Sequence, residues 1–577
     1  MKEKTSLRVV VVAMFLSAVF VLTGCGGGGG GGGDEPTPES PDPFLLFYGD
    51  NTNPDTSGDG LFKIQDGALW LLRTINSSGK SQVQDFTPFG EKYIFSACNA
   101  LGCEPWTTDG TPAGTTLLVN LNLIGDSNPQ EYTLFEGEIY FAANDGVYGV
   151  ELWKTDGTEE GTVLVKNIGL ENDIGILPST PISSNPHELT VLSDHLFFAA
   201  DDIDYEGSGR GVELWKTDGT ENGTVMVKNI AIEDPDNLST DPDTPIDSSP
   251  KQLTVFNGIL YFVATDGLYG TERYGIELWK SDGTEANTTI LKDIGINPVS
   301  NVLPYDAFPE QLTKFDGELY FFADDGTTGF EPWRTDGTEV NTVQVANVGI
   351  DASGPFPTAP DNLTYWTEAQ GWLFFTADDG FSGVEPWRTD GLSTSMVLDI
   401  NSFAGDSVVP GRDDVFTTLN GQLLFFANDG THGFEPWLSD GTFLGTRLLA
   451  DIYSTPINNP TTADGLTFLA EYQRRSYFTA NDGLTGREPW STDGTTFGTK
   501  VLKDIGPGYE SGYSDAFGPS ILDGGLFFSA FDGGINVGNG VEMWQTLGNE
   551  TDTRLVEDLN PGAQNDGVLK AVPLPLP

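Results

Sequence analysis

Cysteine, histidine and cationic side chains are scarce in this sequence, and each scarcity narrows the field. Three cysteines in 577 residues exclude a disulfide framework and a cysteine-rich metal protein. The three histidines, His187, His195 and His432, fall at unrelated places, so no histidine-based catalytic or metal cluster is expected. Lys and Arg number 28 against 85 Asp and Glu. The resulting net charge of −57 excludes nonspecific binding to nucleic acid or to an anionic lipid surface, because both need cationic patches. Long apolar runs are missing beyond the N-terminus, and so is helical periodicity. No nucleophile elbow, P-loop or dinucleotide fingerprint is present. The chain does have 38% hydrophobic and 11% aromatic residues, enough to bury a large core and to exclude global disorder.

The N-terminus reads as a targeting segment. Lys2, Lys4 and Arg8 precede an apolar stretch over 9–22, broken only by Ser17. That length is short for a membrane span of about 20 residues and suits the core of a signal peptide. The residues that follow, Leu22-Thr23-Gly24-Cys25, resemble the lipobox of bacterial lipoproteins. The resemblance implies that 1–24 is a signal peptide and that Cys25 is lipidated and becomes the mature N-terminus. Gly26 follows, not Asp, which in that family favours the outer membrane, facing either the periplasm or the outside. The other reading is an ordinary secretory signal with an incidental cysteine. Residues 25–43, first Gly26–Gly33 and then an acidic Pro-containing run, form a flexible tether.

The remainder, 44–577, is one repeat used about ten times. The motif Glu-x-Trp-x-x-Asp-Gly begins at Glu104, Glu151, Glu213, Glu277, Glu331, Glu385, Glu435 and Glu488, with a worn copy at Glu542. Nine of the twelve tryptophans occupy its third position: Trp106, Trp153, Trp215, Trp279, Trp333, Trp387, Trp437, Trp490 and Trp544. They lie between 47 and 64 residues apart, a period that points to a propeller or a solenoid. Each unit reads as four short strands. Around Trp333 they are 311–315, 318–323, 331–335 and 342–348, rich in aromatic and β-branched residues and bounded by Gly-containing turns. Four antiparallel strands per ~50 residues describe a propeller blade.

The ends of the repeat region fit together. A degenerate unit has strands at 44–48, 60–64 and 68–75 but lacks a first strand. An unpartnered strand lies at 568–574. Pairing them completes a blade from both termini and removes the exposed edges of an open array. The expected fold is therefore an all-β propeller of about ten four-stranded blades. Two smaller propellers are the alternative.

The units resemble the bacterial ELWxxDGT repeat family. Residues 151–158 and 213–220 match its pattern fully, 277–284 match with Ser281, and five units carry Pro105, Pro332, Pro386, Pro436 or Pro489 in place of Leu. The resemblance implies an exported, surface-associated protein and no particular activity.

Alternation along the third strand puts Glu, Trp and Thr on one face. The tryptophan then packs between neighbouring blades, or forms an exposed ladder for stacking sugars. Proline beside it donates no hydrogen bond and belongs at a strand start or on an edge. The loop after the second strand pairs acidic residues with the motif glutamate: Asp145 with Glu151, Asp325 with Glu331, Asp379 with Glu385, Asp429 with Glu435, and Asp482 with Glu488. Two readings fit. The carboxylates accept backbone N–H bonds, or they chelate Ca²⁺, a hard cation that wants six to eight oxygens. One unit has Cys98-Asn99-Ala100-Leu101-Gly102-Cys103 there instead. Export places this pair in an oxidising compartment, so a disulfide is expected.

Length variation has a direction too. First and third turns stay short. Insertions fall in second turns (201–211, 266–275, 532–540) and in connectors between units (169–186, 231–250, 295–309). In an up-and-down blade these share one rim, and loops on a rigid scaffold are where binding concentrates. The expected function is a membrane-anchored scaffold that binds protein or polysaccharide on that rim. The alternative is a carbohydrate hydrolase with two carboxylates hidden among the many.

Overall fold

The structure is a computed structural model. It describes residues 45–51, 58–65, 68–77, 79–169, 181–202, 209–231, 247–267, 274–296, 305–349, 366–402, 405–408, 415–453, 466–506, 517–522, 524–531, 541–557 and 570–572. The signal segment, the tether and most of the long insertions lie outside the described residues. Apart from one 3₁₀ turn at Glu550–Asp552, every described element is a strand.

The strands form ten four-stranded antiparallel sheets. Nine are built from consecutive strands. The tenth joins the two ends of the repeat region, in the order Ala68–Asn76, Gly58–Gln65, Leu45–Asn51, Lys570–Val572. Leu46 lies opposite Val572 and Tyr48 opposite Lys570. We number this split sheet blade 1 and the others blades 2 to 10 in chain order.

The blades close into one ring. An apolar cluster bridges every successive pair. Phe62 and Ile64 of blade 1 pack with Leu522, Phe527 and Met543 of blade 10, and Leu61 and Leu72 of blade 1 pack with Phe95 and Trp106 of blade 2. All nine motif tryptophans serve this purpose. Each sits in the cluster shared with the preceding blade, as Trp215 does beside Tyr140, Leu152 and Val165. Eight of them are buried and Trp387 is half-buried. They form no exposed ladder. A buried aromatic at a blade junction removes about 150–250 Å² from water, so the repeat carries its adhesive in the residue it repeats most strictly.

Blade 6 shows the local rules. Its strands are Glu310–Phe315, Glu318–Asp324, Phe330–Thr335 and Val343–Gln344. Asp316-Gly317 closes the first hairpin with both residues at positive φ, the geometry a two-residue turn requires. The fourth strand is two residues long, shorter than the expected 342–348. One bond follows it, from Val345 N–H to the Pro332 carbonyl at 2.7 Å, but Pro332 has no N–H to return, and the amides of Val348 and Gly349 then turn to Glu331.

Pro332 corrects a second expectation. It lies inside the third strand, opposite Phe322 of the second, not at a strand start or on an edge strand. Its carbonyl faces the fourth strand, so its missing N–H faces that way as well. The proline costs nothing in the second-strand ladder and occupies the side where pairing is already short.

Candidate functional site

The candidate site is the set of motif glutamates, because nine of the ten units have one, blade 1 being the exception. All nine carboxylates are almost fully buried. A buried carboxylate is costly unless donors surround it, and the described hydrogen bonds show where those donors originate. Glu151 accepts from the backbone amides of Ile168 at 3.0 Å, Gly169 at 3.2 Å and Ser184 at 3.2 Å, and from Ser184 Oγ at 2.6 Å. Ile168 and Gly169 lie where the chain leaves blade 3. Ser184 lies just before the first strand of blade 4, His187–Leu192. The glutamate therefore clasps both ends of the connector between two blades.

Other blades repeat the clasp. Glu213 accepts from Ile230 N, Ala231 N and Ser248 Oγ. Glu385 accepts from Ile400 N, Asn401 N and Ser407 Oγ. Glu435 and Glu488 accept from the amide pairs of Ile452 and Tyr453, and of Ile505 and Gly506. Burial pushes these carboxyls up, and the donors pull back only in part. Glu151, Glu385, Glu435 and Glu488 rise to about 7, and Glu213 and Glu331 to about 8.

The residue before the serine position makes a second tie, even in blade 5, where alanine replaces the serine. Asp247 Oδ1 accepts from Val212 N at 2.9 Å, Asp306 Oδ1 from Ile276 N at 2.8 Å, and Asp406 Oδ1 from Val384 N at 2.9 Å. In blade 3 Ser183 Oγ takes this place and accepts from Val150 N. The connector is thus laced to the first two residues of the third strand. The reading from sequence did not find this pair of ties. The signal was present as a short polar pair ahead of proline, such as Ser183-Ser184-Asn185-Pro186 and Asp126-Ser127-Asn128-Pro129.

The acidic residues paired with these glutamates for a cation are held by other partners. Asp145 Oδ1 accepts from Val147 N and Tyr148 N within its own loop. Asp325, Asp379, Asp429 and Asp482 do the same with the amides two and three residues on. Asp429 also binds His432 Nδ1 at 2.7 Å. Each aspartate shapes the second turn and each glutamate holds the connector. Among the described residues, no group of three or more His, Cys, Asp or Glu is arranged to hold a metal ion.

In blade 2 the cysteine pair occupies this second turn. Cys98 and Cys103 are directly opposed on adjoining strands and joined by a disulfide, with Cα atoms 3.8 Å apart. Asp126 Oδ1 caps Cys103 N at 3.0 Å. Cys25 lies outside the described residues.

The third turns are built on the Asp-Gly-Thr segment. Asp156 Oδ1 accepts from Thr158 N and Oγ1. Gly161 packs so closely that a Cβ there would lie 2.0 Å from Asp156 Oδ1. In blades 5 and 6 Asn287 and Asn341 replace that glycine and donate Nδ2 to the aspartate at 2.6 Å. The scarce cations link neighbouring blades on this rim. Lys166, Lys228 and Lys292 each donate to a threonine carbonyl of the next blade. A shallow cleft of about 260 Å³ opens here, lined by Tyr261, Lys280, Asp282, Asn287, Thr289 and Gly337. It is smaller than the ~300–1,000 Å³ of ordinary small-molecule sites.

No family model and no curated protein matches the chain. Among solved structures, it is similar to one from a structural and mechanistic analysis of two prolyl endopeptidases. The identity is 11% and the TM-score 0.31, over 71% of this chain and 54% of that one. It is also similar to a puromycin hydrolase at 10% identity and a TM-score of 0.26, over 66% of this chain and 54% of that one. The chain spans about half the length of these structures.

Proposed function

We propose that this chain is a lipid-anchored propeller of the ELWxxDGT type, held at the outer membrane through Cys25, that serves as a binding scaffold for a protein or polysaccharide. One observation carries the reading. The chemical groups that repeat from blade to blade are engaged by the fold wherever their bonds are described: the glutamates clasp connectors, the aspartates shape turns and the tryptophans seal junctions. The blades differ instead in the lengths of their second turns and connectors, which share one rim. A ligand that distinguishes one blade from another meets those insertions. The disulfide of blade 2 suits an oxidising compartment outside the cytoplasm.

The test is a glycan-array and pull-down survey with the acylated protein. It is then repeated after the 231–250 connector is shortened to the length found between blades 2 and 3. Binding without turnover, lost on shortening, is the expected result. A measured glycan cleavage abolished by a single carboxylate substitution would replace this reading with a hydrolase.

A further inference from the structure

The rim opposite the insertions has two unlike halves. It carries the first and third turns. In blades 3 to 5 the tips of the third turns are exposed and acidic, with Glu159, Glu160, Glu221 and Glu285. First turns on that side add Glu136 in blade 3, Asp194 in blade 4 and Asp316 in blade 6. In blades 6 to 10 the third turns each carry an exposed apolar residue: Val340, Phe443 with Leu444 and Phe497 at the tip, Leu392 two residues nearer the strand, and Leu547 in place of the turn aspartate, with Glu339 and Glu550 as the acids that remain at the tips. Leu444 is 91% exposed and Phe497 98%. The first turns of blades 7 to 9 are Gln370-Gly371, Asn420-Gly421 and Gln473-Arg474, with no acid in the turn.

These apolar tips are not packing residues that happen to show. They project from turns whose own hydrogen bonds are complete without them, as in Asp493 with Thr495 and Thr495 with Gly498. A run of exposed apolar side chains in the third turns of consecutive blades marks a contact surface.

The chain itself indicates what that surface meets. In the split blade, Leu45–Asn51 takes the second-strand place, and its first residues lie opposite Val572. The second strand of every other blade begins at the first turn, as Glu318 does opposite Phe315. The described chain therefore begins, at Leu45, on the rim of first and third turns. Blade 1, where it begins, abuts blade 10 at the end of the apolar arc. Trp70 of blade 1 extends the arc. It is exposed, and it lies opposite Lys63 next to the end of its hairpin. Only 20 residues separate Cys25 from Leu45. A Gly-rich tether of that length has a root-mean-square span of about 25 Å.

We infer that the apolar arc of blades 6 to 10, with Trp70, rests on the bilayer that holds the lipid on Cys25. The ring is then tilted, with blades 7 to 10 down, the acidic half raised, and the insertion rim directed away from the membrane. The inference rests on the anchoring reading above. Exposed aliphatic and aromatic tips add apolar area to the acyl anchor, and tryptophan suits the interface between headgroup and tail. The occupant is a neutral phospholipid surface, since the chain's charge opposes an anionic one.

The test uses the full chain, acylated in cells and reconstituted into phosphatidylcholine vesicles. Phe497 is replaced by a benzophenone-bearing phenylalanine analogue, and in a second protein Phe381, exposed on the opposite rim, is replaced likewise. After illumination, lipid adducts are counted by mass spectrometry. The expected result is a several-fold excess of lipid adducts at position 497. Equal yields, an excess at 381, or capture of a second copy by 497 without lipid would overturn the orientation while leaving the anchor intact. Mass spectrometry of Cys25 separates the two readings: an unacylated cysteine removes the anchor and this inference together. Both substituted residues are exposed, and near-ultraviolet circular dichroism confirms that each variant folds.

Discussion

The connectors leaving blades 3 and 5 follow the same course and are closed differently. Glu151 meets two amides where the chain leaves its blade, then the amide and hydroxyl of Ser184 where the next blade begins. Glu277 meets only the two amides, of Ile294 and Gly295. Ala307 stands where the serine would be, and among the described residues Glu277 Oε2 has no hydrogen-bond partner. Burial raises both carboxyls. Four donors keep Glu151 near 7, while Glu277, with fewer donors and with Asp293 and Asp306 nearby, rises well above the ordinary range. One motif residue thus makes a four-donor clasp in one blade and a two-donor clasp in another. The difference is set by a residue about 30 positions downstream.

Removal of a carboxylate separates the two most sharply. Glu151→Ala strands three buried amides and a hydroxyl, with an expected loss of about 3–5 kcal/mol, read as a lower melting temperature. A near-unchanged melting temperature would show that the connector is held by something else. Glu→Gln tests the charge itself. Glu151→Gln turns an amide nitrogen toward donors and should cost about 2–3 kcal/mol, whereas Glu277→Gln, facing an empty position at Oε2, should cost about 1 kcal/mol. Equal losses would erase the distinction.

Exchanging the serine tests the downstream half. Ser184→Ala should destabilise by about 1–2 kcal/mol, and Ala307→Ser should stabilise by up to about 1 kcal/mol. If Ala307→Ser destabilises, the missing hydroxyl is not what loosens blade 5.

The effect of pH is smaller per site but shared. A carboxyl whose folded pKa lies above the unfolded value near 4.5 favours folding most when protonated. That contribution is complete below about pH 4.5 and is lost as pH rises to about 7 or 8. Melting temperature should fall by several degrees across that window. Self-repulsion of the acidic chain acts in the same direction, so the diagnostic measurement is Glu331→Gln, which should flatten the slope. The smallest expected effect is from chelation: EGTA should leave the melting temperature unchanged. A Ca²⁺-dependent rise would place a cation at the loops of Asp145 or Asp325 after all.

Much of this architecture was legible because it repeats. Strand count, the tryptophan seam and the split blade follow from period and from the apolar pattern at Phe44–Tyr48 and Val568–Leu574. That the loop carboxylates accept backbone N–H bonds was one of the two readings and holds; which amides close the clasp was not legible. Its donors are mostly backbone amides, which leave no mark in a sequence, and its serine lies beyond connectors of unequal length. The prolines misled for a related reason. Pro332 is tolerated mid-strand because the outer strand has already turned toward Glu331, a tertiary event that strand propensity does not register.

The split blade also bears on mechanics. The strand Leu45–Asn51 is the second of its sheet, bonded on one side to Lys570–Val572 and on the other to Gly58–Gln65. A pull on the N-terminus runs along that strand and loads both ladders in shear, so many hydrogen bonds must yield together. Had the leading strand been at an edge, the same pull would have peeled it away one bond at a time. The strand at which the described chain begins is thus also the strand that locks the two ends of the ring.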